Sequence, residues 1–235
     1  MTRVARVVVP DIPHHVAQRG NRRQQTFFCD SDYRAYIRIM SEFCSRHEVA
    51  IWAYCLMPNH VHLVAVPATM DGLRLAIGKA HRHYTFAINA RMEWKGHLWQ
   101  GRFASCPLDE RHLLAAVRYI EQNPVRADLV KCPEEWPWSS AGAHLSGRDD
   151  DLVSAQPVLE IMPHWEEFLR LEVSRNPDFG RHERTGRPLG DEAFIDCCER
   201  ATNRTLRPRK RGPRPSKKYR IAPWLNMASP RQPHK

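Results

Sequence analysis

Apolar residues recur at helical spacing in three stretches of the chain. In residues 32–47 they fall at positions i, i+3, i+4 and i+7, which predicts an amphipathic helix. Residues 73–91 repeat this spacing and predict a second helix. A third helix is expected to begin after Asp109, a residue suited to capping, and to end before Pro124, because proline disfavours helical geometry at the preceding residue. Its apolar stripe would be formed by Leu113, Val117 and Ile120.

Two continuous apolar runs predict strands. Residues 49–57 and 60–67 are separated by the Pro58-Asn59 turn, so we expect them to form an antiparallel hairpin. A shorter apolar segment in residues 3–18, interrupted by two prolines, is a candidate first strand. The predicted order is therefore strand, helix, strand, strand, helix, helix.

His60 and His62 flank one apolar residue in the second strand of this hairpin. Side chains alternate along a strand, so both histidines should project from one face, about 7 Å apart along the strand, where they could converge on one metal ion. His81 and His83 have the same spacing on a predicted helix, where residues two apart do not share a face. With 13 histidines in the chain, about one such pair arises by chance. A pair of packed, hydrogen-bonded histidines is the alternative interpretation.

Tyr119 and Asn123 lie four residues apart on the third predicted helix and so on one face. The amide oxygen of Asn123 could complete a mixed nitrogen and oxygen metal site, and the phenol of Tyr119 could attack a phosphorus atom. A tyrosine near a helix end can equally be a core residue. Tyr84, on the second predicted helix, is a rival nucleophile without this spacing to a ligand.

Charge is distributed unevenly along the chain, with a basic part before residue 131, an acidic part in residues 131–199 and a basic part after residue 199. The net charge is +10, but residues 131–199 hold 7 basic and 15 acidic residues, whereas residues 200–235 hold 12 basic residues and no acidic one. Polyanions are the expected partners of the basic parts. The seven cysteines show no C-x-x-C spacing, which favours reduced thiols and a cytoplasmic location. No apolar stretch is long enough to predict a membrane span.

Three motifs, in this order, strongly resemble the IS200-like tyrosine transposases, and within them the branch associated with repetitive extragenic palindromes (REP). They are residues 54–63 (YCLMPNHVHL), 96–103 (GHLWQGRF) and 119–127 (YIEQNPVRA). The resemblance covers roughly residues 3–145, with an echo at 185–190. It implies an α+β, ferredoxin-like (RRM-like) antiparallel sheet with helices packed on one face. We expect a transposase and nuclease domain in residues 1–145, a helical acidic extension in 146–203 and a basic, disordered tail in 204–235.

The same resemblance implies a metal-dependent enzyme that cuts and rejoins single-stranded DNA at hairpin elements. Tyr119 would be the nucleophile that forms a 5′-phosphotyrosine intermediate, and His60, His62 and Asn123 would hold Mg²⁺ or Mn²⁺. Candidate DNA-binding residues are Arg19, Arg22, Arg23, Trp99, Arg102, Phe103, Arg126, Arg209, Lys210 and Arg211. A hydrolytic metal-dependent nuclease and an inactive regulator that binds hairpin DNA or RNA remain alternatives. The expected protein is a nucleoid-associated monomer or homodimer.

Overall fold

A four-stranded antiparallel sheet organises the computed structural model, which describes residues 5–171, 179 and 185–207. Across the sheet, the strands follow the order β2-β3-β1-β4. Their bounds are β1 His14–Arg19, β2 Val49–Met57, β3 His60–Pro67 and β4 Ala104–Pro107. The predicted hairpin is confirmed, since β2 and β3 pair antiparallel. The first strand is shorter than predicted, because the chain before its two prolines does not join the sheet.

The helices also follow the predicted order in the first half of the chain. Two 3₁₀ turns, Asn21–Arg23 and Pro133–Glu135, accompany them. The helical bounds are α1 Asp30–Arg46, α2 Gly72–Arg91, α3 Glu110–Glu121, α4 Asn123–Arg126, α5 Ala141–Ser146, α6 Gln156–Ile161, α7 Trp165–Arg170 and α8 Glu192–Thr202. The elements from β1 to β4 therefore have the order β-α-β-β-α-β of the split βαβ motif. The α+β class is confirmed, and β4, which the sequence pattern did not predict, completes it.

Both faces of the sheet are covered, which explains why β2 and β3 are continuously apolar. Val16, Val61 and Leu63 pack in one hydrophobic cluster with α1 and α2. The opposite face packs against α3, whose predicted stripe is buried there. The sequence analysis expected helices on one face, and α3 adds a layer on the other. Asp109 caps α3 as predicted, because its side chain accepts a hydrogen bond from the backbone N–H of His112 at 2.8 Å.

Ion pairing joins the two helices on the first face. The guanidinium of Arg91, at the end of α2, donates two hydrogen bonds to the carboxylate of Asp32 near the start of α1. Asp32 also accepts the backbone N–H of Phe28 at 2.8 Å. Burial alone would raise the pKa of Asp32, but these hydrogen bonds outweigh burial and lower its pKa. The ionised form of Asp32 therefore stabilises the α1–α2 pair.

Segments beyond residue 145 pack back onto the sheet. The backbone N–H of Leu189 donates to the carbonyl of Pro107, and Arg204 donates to the carbonyls of Ala5 and Arg6. Such contacts cross the expected boundaries at 145/146 and 203/204, and the division into three domains stays a prediction. Residues 208–235, most of the expected basic tail, lie outside the described part. Within the described residues, no helix combines the length and apolar character needed to cross a bilayer.

Candidate active site

The two histidines of β3 project from the sheet face that α3 covers. Across the strands, His60 lies opposite Arg19 and His62 lies opposite Ala17, both on β1. The centroids of the two imidazoles are 5.1 Å apart, and their planes are nearly perpendicular. His62 is buried and His60 is partly exposed. Period-two alternation therefore does place both rings on one face, as predicted from the sequence.

Each of these imidazoles has a hydrogen-bond partner at Nδ1. For His60 the partner is the side-chain oxygen of Asn59, at 2.6 Å, and for His62 it is Nε2 of His15, at 3.0 Å. Since an amide oxygen only accepts, Nδ1 of His60 is the donor and the ring lone pair lies on Nε2. Such an arrangement orients a metal-binding histidine.

Electrostatics favours the neutral form of both rings. Burial lowers the pKa of His60 to about 4, and the charge of Arg19 adds to this effect. Burial, followed by the neighbouring histidines and arginines, lowers the pKa of His62 well below its ordinary value. At neutral pH both imidazoles are therefore uncharged, which is the form that binds metal ions.

Helix α3 places Tyr119 beside the histidines of β3. Its ring centroid lies 5.7 Å from that of His62 and 6.3 Å from that of His15, in each case with the ring planes nearly perpendicular. Phe179 packs against the phenol ring at 5.0 Å. The structure thus unites the predicted histidine pair with the predicted nucleophile, although they are more than 50 residues apart in sequence.

Arg126 on α4 also contacts Tyr119. Its guanidinium carbon lies 4.1 Å from the centroid of the phenol ring, and its Nη2 donates to the carbonyl of Tyr119 at 2.7 Å. A cation in this position stabilises negative charge on the phenol oxygen. The sequence analysis assigned Arg126 to DNA phosphate, whereas these contacts give it an intramolecular role beside the candidate nucleophile.

Asn123 begins α4 rather than continuing α3, which ends at Glu121. The Asn123 side chain is 9% exposed, and its buried Nδ2 has no hydrogen-bond partner among the described residues. No group of three or more His, Cys, Asp or Glu side chains in this part of the chain could hold an ion. A site with three protein ligands would therefore combine His60 and His62 with another donor type, and in Asn123 the ligand atom would be the amide oxygen rather than the unsatisfied Nδ2. Two imidazoles and one amide suit Mn²⁺ or, with oxygen ligands from water and phosphate, Mg²⁺.

A cavity of about 170 Å³ opens beside both histidines. Arg19 of β1 and the Gln100–Arg102 segment before β4 line it. Both arginine side chains are exposed, so a phosphate entering the cavity could pair with them. Arg22 and Arg23 are exposed in the adjoining turn, where the side chain of Asn59 donates to the carbonyl of Arg23. Arg209, Lys210 and Arg211 lie outside the described residues.

Trp99 and Phe103 do not offer surfaces for stacking on unpaired bases. They are only 6% and 7% exposed and belong to the core on the α1 and α2 side of the sheet. The indole N–H of Trp99 donates to the carbonyl of His81, and Arg6 covers the ring of Phe103. Their assignment as DNA-binding residues is therefore corrected, because the segment 96–103 folds these two aromatic side chains into the core.

The rival nucleophile Tyr84 is buried in that same core, where its hydroxyl donates to the carbonyl of Thr26 at 2.7 Å. His15, in contrast, was missed by the sequence analysis although it contacts both His62 and Tyr119. Alternation along β1 could have assigned His14 and His15 to opposite faces. The β1–β3 register was still needed to place His15 beside His62.

Comparisons with known proteins identify relatives of this chain in sequence and in fold. Residues 8–123 match the family model described as "Transposase IS200 like". A protein of Haemophilus influenzae, named as a candidate REP-associated tyrosine transposase, is 27% identical over an alignment that covers 41% of this chain and 61% of that relative. Among solved structures, a REP-associated tyrosine transposase bound to a REP hairpin superposes with a TM-score of 0.52 at 20% identity, over 66% of this chain and 92% of the other, which is a likeness of fold.

The family match extends from Val8 to Asn123, and so includes β1, the hairpin and the helix that carries Tyr119. The chain spans about three fifths of the length of the Haemophilus relative. Through this match, as well as through the motifs in its sequence, residues 8–123 of the chain belong to the family of IS200-like transposases.

Proposed function

We propose that this chain is a metal-dependent transposase that cleaves and rejoins single-stranded DNA at hairpin elements through a 5′-phosphotyrosine intermediate. The observation that carries the proposal is the packing of the Tyr119 ring against His62, with ring centroids 5.7 Å apart and planes nearly perpendicular. His62 in turn lines a cavity together with His60, Arg19 and Arg102. Support for a hairpin substrate comes from the structural relative, which is bound to a REP hairpin.

Arg19 and Arg102 would hold the scissile phosphate in the cavity. Both guanidiniums can pair with non-bridging phosphate oxygens, and their positive charge offsets the repulsion between phosphate and an anionic nucleophile. When bound by His60, His62 and Asn123, a divalent ion supplies further neutralisation of charge at the phosphate and at the departing oxygen. IS200-like tyrosine transposases are in general metal-dependent.

Tyr119 would then act as the nucleophile. A phenol with the ordinary pKa of about 10 is protonated at neutral pH. Its proton passes to water, and the guanidinium of Arg126, 4.1 Å from the ring centroid, would lie beside the anion that forms. The phenolate oxygen forms a bond to phosphorus while the bond from phosphorus to the 3′-oxygen breaks, and the departing 3′-oxygen takes up a proton. The 5′-phosphate stays on Tyr119. Attack by a 3′-hydroxyl on this ester reverses the step and reseals a strand without ATP.

The proposal is tested with a DNA hairpin carrying a single-stranded flank and a label at its 3′ end. Incubation with Mn²⁺ should yield a labelled protein that survives denaturation, with the adduct mapped to residue 119. Tyr119→Phe should abolish it. Tyr84→Phe, which removes a hydroxyl buried on the other face of the sheet, is the matched control and should retain it.

Two other outcomes would point to different functions. Scission that persists in Tyr119→Phe would identify a hydrolytic nuclease. Hairpin binding without scission by the wild type, in Mn²⁺ as well as in Mg²⁺, would identify an inactive binding protein. His60→Ala should bind the hairpin but fail to cleave it.

A further inference from the structure

His15 is a third histidine on the sheet face that carries the candidate site. It lies on β1 two residues before Ala17, which is the cross-strand partner of His62. Nε2 of His15 and Nδ1 of His62 are 3.0 Å apart, and the two rings stack with an interplanar angle of 5° and centroids 5.2 Å apart. The His15 side chain is 0% exposed and that of His62 is 4% exposed. Bulk water therefore does not compete for this hydrogen bond.

The direction of this hydrogen bond determines which nitrogen of His62 has a lone pair. If Nδ1 of His62 donates, its proton is on Nδ1 and its lone pair is on Nε2. If His15 donates instead, the lone pair of His62 is used at Nδ1 and its proton lies on Nε2. Because His15 occupies Nδ1 in both cases, only the first arrangement gives His62 a nitrogen that can bind a metal ion.

We propose that His15 is a positioning residue, which accepts the Nδ1 proton of His62 and thereby holds Nε2 of His62 in its metal-binding form. The inference rests on the proposed function, since it concerns the same metal site. His60 provides a parallel, because its Nδ1 donates to the side-chain oxygen of Asn59, which can only accept. Both histidines of β3 thus have an acceptor at the same ring position.

The neighbouring His14 shows what a buried histidine without such a role looks like. It is also 0% exposed, but it belongs to the other face of β1, and among the described residues its hydrogen bonds go to the backbone, at Val9 and Ile12. His15 instead contacts side chains of the candidate site, namely His62 and Tyr119. A phenylalanine at position 15 would fill a similar space but could not accept a proton.

The test uses the full-length apoprotein labelled with ¹⁵N-histidine, so that long-range ¹H–¹⁵N spectra report each tautomer. The signals of His62 are assigned by their loss in His62→Gln. In the wild type, His62 should carry its proton on Nδ1. In His15→Phe this preference should be lost, and the Kd for Mn²⁺ alone, measured from the electron paramagnetic resonance signal of the free ion, should rise about 10- to 100-fold. His15→Gln, whose amide oxygen can accept, should restore most of the affinity, and His14→Phe should leave tautomer and Kd unchanged.

A wild-type spectrum with the His62 proton on Nε2 would overturn the inference. So would a His15→Phe variant that is folded by circular dichroism and retains the wild-type tautomer and Kd. A His15→Gln variant that binds no better than His15→Phe would also count against an acceptor role. Failure of the wild type to bind Mn²⁺ would instead refute the proposed function, whereas wild-type binding that His15→Phe leaves unaltered would refute only the role of His15.

Discussion

Glu121 is expected to be the most sensitive polar residue outside the candidate site. It is the last residue of α3, two positions after Tyr119, and it is 0% exposed. One carboxylate oxygen accepts from the hydroxyl of Ser140 at 2.7 Å and from Nδ1 of His144 at 2.5 Å, and the other accepts from the indole N–H of Trp165 at 3.0 Å. This carboxylate therefore joins the end of α3 to the turn before α5, to α5 itself and to α7.

Glu121→Leu would leave the donors of His144 and Trp165 buried without this acceptor, whereas the Ser140 hydroxyl could still donate to the carbonyl of Tyr54 at 3.3 Å. Hydrogen bonds to a charged group contribute roughly 1.5–3 kcal/mol each, but removing one partner of a buried ionic cluster costs about 3–5 kcal/mol in total because the effects are not additive. We therefore expect the free energy of unfolding to fall by about 3–5 kcal/mol and the Tm by about 6–20 °C. Glu121→Gln, which keeps one acceptor oxygen, should be less damaging.

The measurement is urea unfolding followed by tryptophan fluorescence, with Tm from calorimetry. Glu166→Gln is the matched control, because Glu166 lies on α7 beside Trp165 but pairs with Arg170 at the surface. This control should unfold as the wild type does, since exposed ion pairs contribute little. A Glu121→Leu variant within about 1 kcal/mol of the wild type would refute the argument, since it would mean that water or other groups satisfy the donors of His144 and Trp165.

Three further predictions concern the turn beside His60, the α1–α2 ion pair and the candidate nucleophile. Gly20→Ala should destabilise the protein by about 1–3 kcal/mol in thermal unfolding, because a Cβ would lie 2.2 Å from the backbone oxygen of Gln24. The control Gly142→Ala lies in a helix with open space around it and should be neutral or stabilising. Equal effects of the two substitutions would contradict the packing argument. Because the pKa of Asp32 is lowered in the folded state, its ionised carboxylate stabilises the fold at pH values above its unfolded pKa of about 4, and this stabilisation is lost as the pH falls through the folded pKa. The urea midpoint of the wild type should therefore exceed that of Asp32→Asn by a constant amount above about pH 5 and by less below about pH 4. A constant difference down to about pH 2.5 would contradict this prediction. Arg126→Met, which retains the packing stem, should slow formation of the Tyr119 adduct about 2- to 30-fold at saturating DNA, and an unchanged single-turnover rate would exclude a role for the cation.

Local patterns determined the elements of the first half of the chain. Spacing of 3.6 residues predicted α1, α2 and α3, and the apolar runs around Pro58-Asn59 predicted the hairpin. Alternation along β3 was enough to place His60 and His62 on one face, because a strand alternates its side chains whatever it pairs with. The family motifs added the expectation that Tyr119 belongs to the same site, which periodicity alone could not supply.

Tertiary pairing decided the rest. β4 has only four residues and becomes a strand because β1 offers it an edge, in the register that sets His15 opposite Cys106. The partners of His62 and Tyr119 depend on the β1–β3 register and on the packing of α3 across the sheet, and neither can be read from neighbouring residues. Likewise, the sequence of residues 96–103 does not show which of its aromatic and basic side chains are exposed. Only the folding of this segment against α2 shows that Trp99 is buried while Arg102 faces the cavity. Periodicity within one element depends on its own covalent geometry, whereas contacts between elements depend on how distant segments bury their apolar faces together.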